Sequence, residues 1–104
     1  MAEIFFTKRA VADLGSIWDY TCDKWSEHQA DKYYSKLMSA TRRIAVGDVV
    51  YSKRYNVISS DLYGYKVGSH IIFYKKMTSG TVLIIRILHK SMDLKSHLDF
   101  TRSK

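Results

Sequence analysis

The stretch TVLIIRILH at residues 81–89 is apolar at almost every position. A strand with one wet face alternates apolar and polar side chains, so a continuous run needs cover on both faces and a place inside a sheet. Arg86 alone breaks the pattern. The rest of the chain must therefore supply neighbouring strands and an apolar layer to pack against them.

The neighbours are legible upstream. LYGYKV at 62–67 and HIIFYKKM at 70–77 are strand-like, and Gly68-Ser69 and Ser79-Gly80 are turn signals, so the three strands form an antiparallel meander. EIFFT at 3–7 reads as an earlier strand. Between them the period changes. Ala10, Leu14, Ile17, Trp18, Thr21 and Trp25 recur at helical spacing, while Lys8, Arg9, Asp13, Asp19, Asp23 and Lys24 fall at other angles. SEHQ at 26–29 is a capping box that starts a second helix, with Ala30, Tyr33, Leu37, Ala40 and Ile44 as its apolar seam and Gly47 as its stop. Helices joined so briefly form an antiparallel hairpin. Residues 48–61 show no period and are expected to be a loop or short irregular turn. The predicted fold is α+β: an N-terminal strand, a helical hairpin, then a three-stranded meander, in one sheet with both helices on one face.

A chain of 104 residues, 46% hydrophobic, has material for a single domain spanning 1–104 with one modest core. No apolar run reaches the roughly 18 residues a membrane helix needs, and MAEIFFTKRA becomes charged too early for a signal peptide, which predicts a cytoplasmic protein. The single Cys22 has no internal disulfide partner and sits in no metal or redox motif, so it reads as a half-buried filler. No metal or cofactor is expected.

Charge is distributed unevenly. Residues 1–52 carry seven basic and seven acidic groups, whereas residues 53–104 carry ten basic against Asp61, Asp93 and Asp99, so the net of +7 belongs to the second half. That half should seek an acidic protein surface or nucleic acid.

The blocks ADLGSIWDYTCDKW at 12–25, YYSKL at 33–37, YKVGSHIIFYK at 65–75 and ILHKSMDLKSHL at 87–98 follow one another in an order and spacing that resembles the ParE branch of the ParE/RelE superfamily, toxins of bacterial type II toxin-antitoxin pairs. The I-L-H-x-x-M-D ending carries most of the resemblance. The fold it implies agrees with the one read from periodicity.

The two branches imply different chemistry. RelE-like members cleave mRNA on the ribosome and end in a G-H-R-x-x-V-Y-like segment, which supplies cations and a proton-transfer group for attack by a 2′-hydroxyl. His89 matches the histidine of that ending, but Leu94 stands where the tyrosine would be. A ribonuclease site would have to be assembled from His70, Arg86 and His89, with Lys66, Asp93 and His97 in support; the first two histidines meet only if strand register allows. The ParE branch implies a non-enzymatic toxin that traps DNA gyrase on cleaved DNA. Arg86, His89, Lys90, Met92, Asp93, Leu94, Lys95 and His97 are then the candidate gyrase contacts.

The resemblance also implies a ParD-like antitoxin whose acidic, amphipathic tail folds onto the toxin. Trp18, Trp25, Tyr33 and Tyr34 are its candidate apolar contacts, and Lys53, Arg54, Lys75 and Lys76 are expected to rim the same groove. The toxin alone should be monomeric or weakly dimeric and join a hetero-oligomer through the antitoxin. A third reading is a non-toxic module that retains only antitoxin binding.

Overall fold

The computed structural model describes residues 3–47, 52–56 and 58–91. Its elements in chain order are β1 (Ile4–Phe6), α1 (Lys8–Lys24), α2 (Glu27–Ala45), β2 (Ser52–Arg54), β3 (Tyr63–Val67), β4 (His70–Lys76) and β5 (Val82–His89).

Side-chain caps set the helix starts. The Thr7 hydroxyl accepts from the Ala10 amide at 3.0 Å, and the Ser26 hydroxyl accepts from the Gln29 amide at 3.1 Å, the forward half of the expected capping box. Gly47, at φ +92°, takes the left-handed conformation beyond α2, and its amide donates to the Ile44 carbonyl at 3.1 Å. The apolar stripe of α1 ends one turn earlier than its spacing suggests. Trp25 lies at the helix terminus and is 76% exposed.

The five strands lie in the order β1-β5-β4-β3-β2, with β1 parallel to β5 and the other pairs antiparallel. The apolar strand β5 is thus interior, as expected. The segment 48–61 is corrected: it contains β2, whose Ser52, Lys53 and Arg54 face Tyr65, Gly64 and Tyr63 of β3. A three-residue edge strand, with Lys53 and Arg54 exposed, is too short and too polar to show a period.

Both faces of the sheet are covered. On one, Ala10, Leu14, Leu37, Ala40 and Ile44 of the hairpin pack on Tyr65, Val67, Ile72, Tyr74, Val82, Ile84 and Ile87. On the other, Leu62, Ile71, Phe73, Ile85 and Leu88 pack beneath Tyr55 and Ile58 from the connection between β2 and β3. This explains why β5 is apolar on both sides.

A β-bulge interrupts β5. Tyr74 faces Ile84 but Phe73 faces Arg86, leaving Ile85 as the extra residue. Strict alternation from Ile84 would turn Leu88 toward the helices and Ile87 away. The extra residue reverses this, so Ile87 joins the helical core and Leu88 the opposite one.

Candidate functional site

A bulge takes backbone groups out of the ladder, and here two side chains from the start of the chain receive them. The Thr7 hydroxyl donates to the Ile85 carbonyl at 2.7 Å, while Asp13 Oδ2 accepts from the Ile87 amide at 2.9 Å. Arg86 completes the arrangement: its Nε donates to Asp13 Oδ2 at 2.8 Å and its Nη2 to Oδ1 at 2.9 Å, in a bidentate fork. Both side chains are largely enclosed, at 16% and 14% exposure. The Asp13 hydrogen bonds push the already high pKa of Arg86 further up. Arg86, expected both as an exposed partner contact and as a phosphate-stabilising cation, is largely enclosed and ties β5 to Asp13 of α1. Asp13, which helical spacing placed among the polar positions of α1, was missed. The available signal was the lone charge of Arg86 in an apolar strand, which calls for a buried counter-charge without saying which acid supplies it.

The histidine question is answered by register. His70 opens β4 directly opposite His89 at the end of β5, with ring centroids 5.3 Å apart in an edge-on arrangement. Tyr33 of α2 organises this end. Its hydroxyl accepts from the Ser69 amide at 3.1 Å and lies 2.7 Å from His70 Nδ1, with the Val67 carbonyl a longer acceptor at 3.2 Å. The hydroxyl has one hydrogen, so the tautomer of His70 sets which of the two, Tyr33 or Nδ1, donates in the shorter contact. Gly68 at φ +56° permits the approach, because a Cβ there would lie 2.9 Å from the Tyr33 hydroxyl. Burial, and after it the neighbouring His89, push His70 down from 6.5 to about 4. At neutral pH it is an uncharged, packed imidazole. His89 is half-buried, and its Nδ1 accepts from the Ser91 amide at 3.1 Å and meets the Ser91 hydroxyl at 2.7 Å. The Lys90 amide donates to the Ser69 carbonyl at 2.9 Å, tying the two strand ends together. The structure thus brings His70 and His89 together but assigns Arg86 elsewhere. Met92, Asp93, Leu94, Lys95 and His97 lie outside the described residues.

The aromatic candidates divide as well. A groove of about 460 Å³ between α1 and α2 is lined by Val11, Leu14, Gly15, Trp18, Asp19, Asp31 and Tyr34. Trp18 is half-buried and donates from Nε1 to Asp31 Oδ1 at 3.0 Å, whereas Val11 and Tyr34 are 57% and 41% exposed. Trp25 and Tyr33 do not line it. The four basic residues expected as its rim do not line it either: Lys53 and Arg54 lie on β2, and Lys75 and Lys76 on β4. Lys75 donates to Ser59 Oγ at 3.1 Å, on the connection between β2 and β3. This groove is flanked by Asp19 and Asp31, and the four cations expected at its rim stand on the sheet. Their charges belong to strands that the helical pattern cannot place.

Among the described residues no cluster of three or more histidine, cysteine or acidic side chains is arranged to hold a metal, and no helix is long and apolar enough to cross a membrane.

A helical hairpin laid on one face of a five-stranded sheet is a fold shared with solved structures. A chain from the chromosomal ParDE toxin-antitoxin system of P. aeruginosa matches over 86% of this chain and 96% of its own, with a TM-score of 0.71 at 15% identity. A chain of the YoeB-YefM complex from Staphylococcus aureus matches over 86% and 97%, with a TM-score of 0.55 at 14% identity. Sequence is more specific. The family model described as "ParE toxin of type II toxin-antitoxin system, parDE" matches residues 4–94. Toxin ParE1 of Caulobacter vibrioides is 35% identical over 95 residues, covering 88% of this chain and 93% of its own. Toxin ParE1 of Mycobacterium tuberculosis H37Rv is 34% identical over 89 residues, covering 86% and 90%. The chain belongs to the ParE toxin family, and its function is that of the toxin component of a type II toxin-antitoxin system.

Proposed function

We propose that this toxin acts by binding rather than by catalysis, that its target is DNA gyrase held on cleaved DNA, and that a ParD-like antitoxin neutralises it. The observation that carries the reading is the state of the residues a ribonuclease would need. His70 is neutral and engaged by Tyr33, the Arg86 guanidinium is spanned by Asp13, and Leu94 replaces the aromatic of the ribonuclease branch. A base with a pKa near 4 is a poor acceptor for a hydroxyl proton at neutral pH. What remains at the end of β5 is the half-buried His89 and the exposed Lys90.

The antitoxin is assigned to the hairpin groove. Val11 and Tyr34 offer exposed apolar area on either side of Trp18, which suits the apolar face of an amphipathic helix. With Asp19 and Asp31 at its edge, the groove selects a segment whose flanking charges are neutral or basic there, and any acidic part of the tail belongs over the cationic strands.

Purified toxin is to be incubated with gyrase, ATP and relaxed plasmid, scoring supercoiling and protein-linked linear DNA. Loss of supercoiling with accumulation of linear DNA is expected, abolished by deleting residues 92–104. Unaffected gyrase, together with transcripts cut in a translating extract in a His89-dependent way, would overturn the reading.

A further inference from the structure

Charge on the outer face of the helical hairpin is polarised. Asp19 of α1 and Asp31 of α2 edge the groove that Val11, Trp18 and Tyr34 line. Lys8 precedes Asp19 by eleven residues, and Arg42 follows Asp31 by eleven. Eleven residues make three helical turns, about 16 Å, so each cation stands on the same side of its helix as the acid. Because the two helices run antiparallel, Lys8 and Arg42 share one end of the face, and Asp19 and Asp31 share the other. All four residues are exposed, and none is in an ion pair among the described residues. Lys24 and Lys32 lie near the acidic end, but about 140° and about 100° around their helices from Asp19 and Asp31. Lys24 Nζ sits 5.9 Å over the Tyr20 ring.

A face charged in this way is complementary to itself. A two-fold axis lying in the face, across both helices at their middle, reverses the helix direction and keeps α1 over α1 and α2 over α2. Lys8 of each copy then stands over Asp19 of the other, and Arg42 over Asp31, so one symmetry operation makes four contacts of opposite charge. The centre allows close approach. Ala12 is exposed, and a Cβ on Gly15 would meet nothing within 4 Å. The same axis brings Val11, 57% exposed, over Gly15 of the other copy. A uniformly acidic partner is repelled at one end of the face and a uniformly basic one at the other; a second copy matches both. The face is about 26 Å long and about 20 Å wide, roughly 500 Å² per copy, which is the size of a weak, reversible interface.

We infer that the outer face of the hairpin is a self-complementary homodimer interface, in which Lys8 and Arg42 of each copy pair with Asp19 and Asp31 of the other around the apolar groove. The dimer requires only this chain and does not rest on the antitoxin assignment. Given that assignment, the dimer and the antitoxin complex exclude each other, because both cover the same groove.

The test is analytical ultracentrifugation of the full chain alone, over a range of protein and salt concentrations. A reversible monomer–dimer equilibrium in the micromolar range is expected, weakening as salt rises. Lys8→Glu/Arg42→Glu and Asp19→Lys/Asp31→Asn should each weaken it at least tenfold; the asparagine keeps an acceptor for Trp18 Nε1. An equimolar mixture of these two variants should dimerise again, because the charges of one now oppose those of the other. Gly15→Gln, whose side chain enters open space in the monomer, should also weaken the dimer at least tenfold while circular dichroism shows unchanged helix. Lys53→Glu/Arg54→Glu, the same change of net charge placed on β2, should leave it intact. A chain that stays monomeric throughout the micromolar range would overturn the inference and leave the face to the antitoxin alone. So would a dimer that survives the charge reversals, or a mixture of the two variants that fails to reassociate.

Discussion

Two polar clusters flank the same strand and solve the problem of burial in opposite ways. At the bulge in the middle of β5, a full ion pair is enclosed. Asp13 spends both oxygens on Arg86 and also accepts the Ile87 amide, so charge, geometry and backbone are satisfied together. At the end of β5, His70 and His89 meet edge-on, no acid among the described residues is hydrogen-bonded to either, and His70 remains uncharged instead. A permanently charged guanidinium must be given a partner, whereas an imidazole can discard its proton. The first cluster therefore fixes the fold by pairing its charges. The second ties the fold to pH.

The largest break in that contrast comes at the bulge. Asp13→Ala leaves the guanidinium without its partner and the Ile87 amide without an acceptor; a loss of about 3 kcal/mol in urea denaturation is expected. Asp13→Leu/Arg86→Met, which removes both charges, should recover much of that loss. A double variant as unstable as Asp13→Ala would mean that the carboxylate's backbone bond, not the buried charge, dominates.

At the other cluster the larger effect belongs to Gly68. Its left-handed backbone and the hydroxyl of Tyr33 both oppose a Cβ, so Gly68→Ala should cost about 2 kcal/mol and release the His70 ring from Tyr33, visible as a changed histidine resonance by NMR. Unchanged stability would show that the turn yields without moving Tyr33.

The pH dependence comes last. His70 in the folded chain titrates near 4 against 6.5 unfolded, so between those values the unfolded chain binds more protons and stability falls as pH falls. Above pH 6.5 this contribution is fully present, and by pH 4 it is lost. Allowing for partial exposure, the change is roughly 2 kcal/mol. His70→Asn should flatten unfolding midpoints across that window. An equally steep profile in the variant would move the proton uptake to another group.

How much of this was legible depended on whether the information was local. Helix starts at Thr7 and Ser26, the stop at Gly47 and the apolar runs of β4 and β5 are properties of neighbouring residues: caps, turn conformations and period. They emerge from spacing alone, and the resemblance in residues 12–98 then points to the ParE family. The antiparallel meander follows from its short turns. Strand β2 was hidden because three residues carry no period, and Trp25 was misplaced because a helical repeat does not show where a helix ends.

The candidate site was less accessible. His89 and Arg86 stand out by type, yet the sequence assigns both to chemistry or contact, and Asp13 does not stand out at all. One extra residue, Ile85, rotates the end of β5, selects Ile87 rather than Leu88 for the helical core, and creates the backbone groups that Thr7 and Asp13 satisfy. These pairings span 73 to 78 positions in the chain. The order and type of elements, the net charge and the family are therefore fixed by residues close together in sequence. Which charges are buried as pairs, which face the sheet edge and which histidine loses its proton were decided only when β1, α1 and β5 came together, because burial and Coulomb attraction act across space and not along the chain.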